Sequence, residues 1–274
     1  MADGVVMVPE RVLAAAQAEA EALGAAGARA VLLTGSYATG TPLPHADIDL
    51  LAVGEGSHYR LSRRDGFLVA TSWRTGEQVR AAFEEPTEVC TVVPGWRSAI
   101  VLNDREGIAA QLKRDAEVWT WDRIAAACDR HVAHQAWGYA EEVHKLVGAL
   151  EAGLPTVAAV QRSIIALRLP LLLAIHRRLL YGSENRLWDL LAEREGELWA
   201  TAQGRALGAI PCTFEEGCRA GLELYLLYVE AVRPLVTGSD ELAVIDGACE
   251  LAAMAPGPTQ QPELGQAQSP LRDF

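Results

Sequence analysis

The spacing of apolar residues changes along the chain. Up to about residue 108, short apolar runs typical of strands stand between helical segments, and beyond it apolar residues recur only at helical spacing. The first pattern predicts, in order, a helix at 8–25 closed by Gly24, strands at 30–33, 47–53 and 66–73, a helix at 75–85, a strand at 97–104 and a helix at 108–118. This mixture of strands and helices predicts an α/β (α+β) domain over residues 1–118.

The rest of the chain predicts an all-α domain over residues 119–255. Glycine and proline residues divide it into helical segments at 123–151, 155–181, 185–203, 214–236 and 239–254. Residues 256–274 are polar and rich in proline, a composition typical of a disordered tail.

Candidate chemistry stands between the first two predicted strands. Gly35 and Ser36 form a turn, and ten residues later Asp47 and Asp49 fall on one face of the predicted strand 47–53. Two carboxylates on one strand face make an oxygen-rich site for a hard divalent cation such as Mg²⁺. Gly35 allows a phosphate close to the backbone, and Ser36 adds a hydroxyl donor.

This arrangement resembles the signature of the nucleotidyltransferase superfamily related to DNA polymerase beta. The resemblance rests on Gly35-Ser36, the ten-residue spacer and the run Asp47-Ile48-Asp49-Leu50. It implies a domain with a mixed sheet. It also implies that Mg²⁺ bound to the two aspartates bridges the phosphates of a nucleoside triphosphate, for which we expect ATP. A hydroxyl would attack the α-phosphorus and pyrophosphate would leave.

Two departures from the signature concern the phosphate contact and the metal site. Ala46 precedes Asp47, where relatives commonly have serine. Relatives also carry a third carboxylate on the strand that corresponds to 66–73. This strand has none here, and the resemblance places Ala70 at the position of that acid. Either a nearby acid substitutes for it, or two carboxylates and water hold the metal, or the enzyme is degenerate; the nearby acids are Asp65, Glu77, Glu88 and Asp104.

A catalytic domain followed by a helical bundle is similar to the small-molecule nucleotidyltransferases that adenylylate antibiotics of the kanamycin and streptomycin kinds. The resemblance implies that Glu141 is the general base for the acceptor hydroxyl and that Lys145 contacts the phosphates. The two residues are spaced i and i+4 on one helix face, a spacing that also fits an ordinary solvated ion pair. Glu142 and His144 could serve as the base instead.

Composition narrows the expected partners. Lys and Arg total 24 against 36 Asp and Glu, and the net charge of −12 disfavours extended nucleic-acid binding. The longest apolar segment, around 163–178, is interrupted by Arg168 and Pro170, and the N-terminus has no basic-then-apolar leader, so we expect no membrane partner. Five scattered cysteines are typical of reduced thiols in a cytoplasmic protein.

The sequence therefore predicts an enzyme that transfers a nucleoside monophosphate to a hydroxyl of a small molecule. The acidic chain suits a polyamine-like acceptor such as an aminoglycoside, which would make the activity one of antibiotic resistance. Two alternatives stay open. One is protein adenylylation, and the other is a catalytically degenerate module that keeps the nucleotide pocket.

Overall fold

The computed structural model describes residues 7–57 and 59–255. They form an α+β region followed by a mostly helical one, which confirms the predicted fold class. The tail predicted over 256–274 lies outside the described residues.

The described residues pack into two compact units. The first comprises the chain up to residue 134 together with 170–194, and the second comprises 135–169 together with the residues from 195 onward. The domain boundary expected between residues 118 and 119 stays a prediction.

The first unit is built on a mixed sheet of five strands. The strands are β1 (Ala30–Thr34), β2 (Ile48–Val53), β3 (Tyr59–Arg64), β4 (Phe67–Arg74) and β5 (Ile100–Asp104). They lie in the order β3-β4-β2-β1-β5, with β2 and β4 parallel and the other neighbours antiparallel. The parallel pair matters for function because it aligns β4 with the strand that follows Asp47.

Helices cover parts of both sheet faces. Those of the amino-terminal region are α1 (Glu10–Ala25), α2 (Gly35–Thr39), α3 (Gly76–Ala82), α4 (Val89–Ser98) and α5 (Ile108–Glu117). Apolar residues of α1 pack with Leu33, Ile48, Leu50 and Val69 in one buried cluster. Since side chains alternate along a strand, Asp49 and Ala70 point to the opposite face, where α4 and α5 contact β1.

The remaining helices agree with the predicted helical region, with more breaks than expected. They are α6 (Ala125–Gly138), α7 (Ala140–Glu151), α8 (Pro155–His176), α9 (Glu184–Glu195), α10 (Glu197–Leu207), α11 (Phe214–Val232) and α12 (Ser239–Met254). The segment predicted as one helix over 185–203 is two helices in the structure, and the break between them is at Gly196, which has a φ of +85°. Gly24, predicted to close the first helix, lies instead within the last turn of α1.

Within the described residues, α8 is the one helix long and apolar enough to cross a membrane, with a mean hydropathy of 1.6 over its most apolar window. Half of that window is buried within the protein. A buried core helix passes the same test, so α8 is weak evidence for a membrane span.

The pattern of apolar residues missed the short helix α2, the strand β3 and the helix α4. The edge strand β3 has exposed Tyr59 and Leu61, while Arg60 and Arg64 bind the buried carboxylate of Glu19 on α1. An edge strand of this composition lacks the apolar alternation that marks a half-buried strand. Helix α4 contains Pro94, a residue that ordinarily ends a helix. The helix includes residues 97 and 98, which the sequence pattern assigned to the following strand.

Candidate active site

The turn after β1 is the first component of the site. Thr34 ends the strand in an extended conformation, and Gly35 opens the short helix α2 at φ +66°. A left-handed residue at this point favours glycine because a Cβ would be strained there. Ser36 lies in the first turn of α2, and its carbonyl accepts a hydrogen bond from the Thr39 hydroxyl (3.1 Å).

The two aspartates stand at the start of β2. Ile48 and Leu50 are buried on one face of the strand, whereas Asp47 and Asp49 are half-buried on the other. Asp49 pairs with Thr34 in the β1–β2 ladder, so the sheet brings its carboxylate to the Gly35 turn. The structure thus places Gly35 and Asp49, which the sequence separates by the whole spacer, side by side.

The contact between the turn and Asp49 is close. A Cβ built on Gly35 would lie 2.0 Å from Asp49 Oδ2 and 3.0 Å from Asp49 Cβ. Only a residue without a side chain fits beside the carboxylate in this position. Glycine is therefore required at residue 35 by its backbone conformation and also by the position of Asp49.

Burial and a neighbouring charge perturb Asp49. The pKa of its carboxyl is raised to about 6, first by burial and second by the negative charge of Asp47. Two like charges held close to each other in a partly buried site are a feature that a bound cation would relieve.

A cleft of about 230 Å³ opens beside Asp49. Alternate residues of β4, namely Ala70, Ser72 and Arg74, line one side of the cleft, and α4 lines another with residues that include Trp96. Ala70 is the partner of Asp49 in the parallel β2–β4 ladder, so their side chains point to the same face. The cleft is thus open along the strand where the signature expects a third carboxylate.

Two of the substitute acids named from the sequence, Glu88 and Asp104, are not equivalent to a carboxylate at position 70. Glu88 forms an ion pair with Arg74 (2.5 Å), and both side chains are partly exposed. Asp104 pairs with the first residue of β1 whereas Asp49 pairs with the last, a separation of about 13 Å along the strand. Its Oδ2 also accepts a hydrogen bond from the first turn of α5 (2.9 Å).

Of the alternatives that the sequence left open, the arrangement fits the one with two carboxylates, Asp47 just before β2 and Asp49 within it. Among the residues that the structure describes, no group of three or more His, Cys, Asp or Glu side chains could hold a metal ion. Asp47 and Asp49 remain as a pair of carboxylates, with Arg74 on the same face of β4 in the cleft that Asp49 lines. The sequence analysis missed Arg74, although the alternation from Ala70 through Ser72 places it on that face.

The candidate base and lysine belong to the second unit. Lys145 Nζ lies 2.8 Å from the Glu141 carboxylate and 3.2 Å from that of Glu142. The Glu141 side chain is 71% exposed and that of Glu142 is 17% exposed. Glu142 Oε2 is buried without a hydrogen-bond partner, which makes it the more unusual of the two carboxylates.

Comparison with known proteins finds a similarity in the amino-terminal part of the chain. Residues 21–115 match the family described as "Nucleotidyltransferase domain", a segment that contains Gly35, Ser36, Asp47 and Asp49. No curated protein matches the chain. Domains of this kind typically use divalent metals such as Mg²⁺, and their presence supports transfer of a nucleoside monophosphate from a nucleoside triphosphate as the general reaction. The match covers less than half of the chain and is consistent with the nucleotidyltransferase superfamily that the sequence resembles.

Proposed function

We propose that the protein transfers a nucleoside monophosphate, from ATP as our choice of nucleotide, to a hydroxyl of a small aminoglycoside-like molecule, with Mg²⁺ bound and pyrophosphate released. The observation that carries the proposal is the contact of the Gly35 turn with the Asp49 carboxylate, beside Asp47 and an open cleft. This contact brings a phosphate-binding backbone and a pair of cation-binding oxygens to one place.

The two aspartates fit one hard divalent cation. Mg²⁺ is commonly bound by one or two carboxylates together with waters and substrate phosphates, so a third acid is not required for a single ion. The raised pKa of Asp49 supports this assignment because a cation would offset both the burial and the repulsion from Asp47. When bound, the ion would neutralise negative charge on the nucleotide phosphates.

The chain's own groups would orient the nucleotide. Gly35 lets the phosphates approach the backbone of the turn, and Ser36 offers a hydroxyl donor in the first turn of α2. Arg74 also lines the cleft, where its guanidinium forms an ion pair with Glu88 (2.5 Å). In the reaction the acceptor oxygen forms a bond to the α-phosphorus, the bond from that phosphorus to the β-phosphate oxygen breaks, and the hydroxyl proton passes to a base.

Glu141 is our candidate for that base, with Lys145 as a phosphate contact. Both assignments come from the resemblance to antibiotic nucleotidyltransferases, and the ion pair that joins the two residues is compatible with them. Glu142 is the alternative base, favoured by its lower exposure and its unpartnered Oε2.

A second candidate function is a nucleotide-binding module without transfer activity. Ala70 favours it, because this residue occupies the position in register with Asp49 where relatives carry an acid. Such a module would bind nucleotide with Mg²⁺ and release no pyrophosphate.

The test uses the full chain, a set of nucleoside triphosphates with and without Mg²⁺, and the variants Asp47→Asn and Asp49→Asn. We expect Mg-ATP to raise the melting temperature of the wild type and both variants to bind it at least about tenfold more weakly. Asp65→Asn is the matched control, since Asp65 is exposed in the turn between β3 and β4 and asparagine tolerates its φ of +51°.

Pyrophosphate release in the presence of kanamycin or streptomycin then separates the two candidate functions. Release that depends on Mg²⁺ and is lost in both variants supports transfer. Binding without release under any of these conditions supports the non-catalytic module, and the absence of Mg-dependent nucleotide binding would exclude both.

A further inference from the structure

Three large apolar side chains are exposed near one another at one edge of the sheet. Tyr59 and Leu61 of β3 are 57% and 53% exposed, and Leu68 of β4 is 44% exposed. Alternation along the strands and the register between them place all three on one face, and we call them the β3–β4 patch. Edge strands usually present charged side chains to solvent, so an exposed apolar cluster there indicates a binding surface.

The β3–β4 patch is continuous with the Asp49 cleft. Asp49 pairs with Ala70 in the β2–β4 ladder, and Ala70 pairs with Leu61 in the β4–β3 ladder. Ser72, which lines the cleft together with Ala70, pairs with Tyr59. Side chains of paired residues lie side by side on the sheet. The row from Asp49 to Leu61 crosses two strand spacings, roughly 10 Å, so a small molecule on the patch can reach into the cleft.

The strand order places the patch on the side from which an acceptor would approach. The Gly35 turn follows β1, which lies on one side of β2, whereas β4 and then β3 lie on the other side. In phosphoryl transfer the attacking and leaving oxygens are roughly in line with the phosphorus. If the leaving pyrophosphate is held at the Gly35 turn, the attacking hydroxyl must therefore come from the side of β4 and β3.

The side chains on this surface favour an aromatic ring. Along the described strands β3 and β4 this face carries no carboxylate; its residues are Tyr59, Leu61, Arg63, Leu68, Ala70, Ser72 and Arg74. A ring of the ligand can stack on a tyrosine ring and contact leucine side chains at its edge. Covering these exposed side chains also removes apolar surface from water, which stabilises the complex.

We propose that the β3–β4 patch binds an aromatic ring of the acceptor while the acceptor's hydroxyl enters the cleft past Ala70 and Ser72. The inference rests on the proposed transfer function and adds to it a ring that the acceptor carries beside its reacting hydroxyl. Tyr59 and Leu61 bind the ring and determine specificity. They take no part in forming or breaking the bonds at phosphorus.

The test measures equilibrium binding of two neutral glucosides to the full chain with a non-hydrolysable Mg-ATP analogue bound. Phenyl β-D-glucopyranoside carries the aromatic ring, and methyl β-D-glucopyranoside has the same hydroxyls without it. The variants are Tyr59→Ala and Leu61→Ser, both at exposed positions of the edge strand. Val101→Ser is the matched control, because Val101 is a 41% exposed apolar residue of β5, the other edge strand of the sheet.

We expect the phenyl glucoside to bind the wild type about fivefold or more tightly than the methyl glucoside. Tyr59→Ala should weaken binding of the phenyl glucoside about five- to tenfold and Leu61→Ser about threefold, because each removes part of the surface that the ring covers. Val101→Ser should leave the affinity for both glucosides unchanged. The affinity for the Mg-ATP analogue should stay within about twofold in every variant.

Three results would overturn the assignment while nucleotide binding is intact. The first is equal binding of the two glucosides, or binding of neither. The second is wild-type affinity for the phenyl glucoside in both Tyr59→Ala and Leu61→Ser. The third is a dimer in sedimentation that these variants abolish without changing glucoside binding, which would assign the patch to contact between two copies of the chain. Loss of Mg-dependent nucleotide binding in the wild type would instead count against the proposed function itself.

Discussion

Gly35 and Asp49 are in direct contact, and the contact leaves no room for a side chain on the glycine. A Cβ at residue 35 would overlap Asp49 Oδ2 at 2.0 Å. The turn after β1 therefore fixes where the Asp49 carboxylate can stand, and the ladder between β1 and β2 holds the two together.

Replacing Gly35 by alanine should displace the Asp49 carboxylate. We expect Gly35→Ala to lower the free energy of unfolding by about 1–2 kcal/mol because of its φ of +66°, and to weaken Mg-ATP binding at least about tenfold. Gly107→Ala is the matched control, since Gly107 has a φ of +72° and no atom within 4 Å of its Cβ position. Urea unfolding and calorimetric titration measure the two effects. Equal nucleotide affinity in both variants would show that the contact does not position Asp49 for binding.

The raised pKa of Asp49 predicts a pH-dependent stability in the metal-free protein. A carboxyl with a pKa of about 6 in the folded state and 3.8 as its ordinary value binds more protons when folded, so stability falls as pH rises from about 4 to 6. Asp49→Asn removes this cost. We expect the variant to be more stable than the wild type above pH 6, by on the order of 1 kcal/mol because the residue is only partly buried.

The comparison should be made in the presence of a chelator by urea unfolding at several pH values. Near pH 4 the two proteins should have similar stability because Asp49 is then mostly protonated in the folded state. A stability difference that does not change between pH 4 and 7 would contradict the raised pKa.

Substitutions in α7 distinguish the two candidate bases. Glu141→Gln should reduce turnover by roughly 10²- to 10⁴-fold, the usual range for loss of a general base, and should leave Mg-ATP affinity unchanged. Glu142→Gln is the companion variant, since this carboxylate also contacts Lys145 and is far less exposed. Single-turnover rates decide between them. Wild-type rates in Glu141→Gln together with loss in Glu142→Gln would assign the base to Glu142.

The sequence predicted the central part of the fold because that part has regular patterns. The alternation in β2 separates Ile48 and Leu50 from Asp47 and Asp49, and the glycine at residue 35 marks the turn. What it could not predict depends on contacts distant along the chain. The strand β3 is held by the bonds of its arginines to Glu19, and no local pattern encodes that pairing.

A cavity of about 460 Å³ between β4 and α3 was also beyond local patterns. Its lining includes Ser72 and Arg74 of β4 together with Ala81 and Glu85, and the sequence places the last two in an ordinary amphipathic segment. The ion pair between Glu88 and Arg74 could not be predicted either, because it forms only when folding brings β4 next to the start of α4. Sequence spacing therefore singled out the carboxylates of Asp47 and Asp49 but could not predict this cavity.

Restoring a carboxylate at residue 70 tests whether its absence limits the site. Ala70 is in register with Asp49 and lines the same cleft, so Ala70→Asp would add an acid on the face where the two aspartates of β2 stand. We expect this variant to need less Mg²⁺ for pyrophosphate release, or to turn over faster, because a third carboxylate strengthens binding of a hard cation. Ala70 is buried, so the new charge should lower the stability of the protein without Mg²⁺, and Mg²⁺ should restore it. Thermal unfolding with and without the ion measures this difference.

Ser72→Asp is the position control, since it adds the same charge two residues further along β4 and in register with Leu51. Asp47→Asn in the Ala70→Asp background should remove any gain. An unchanged Mg²⁺ requirement in a folded Ala70→Asp variant would mean that two carboxylates suffice and that Ala70 is not the limiting feature of the site.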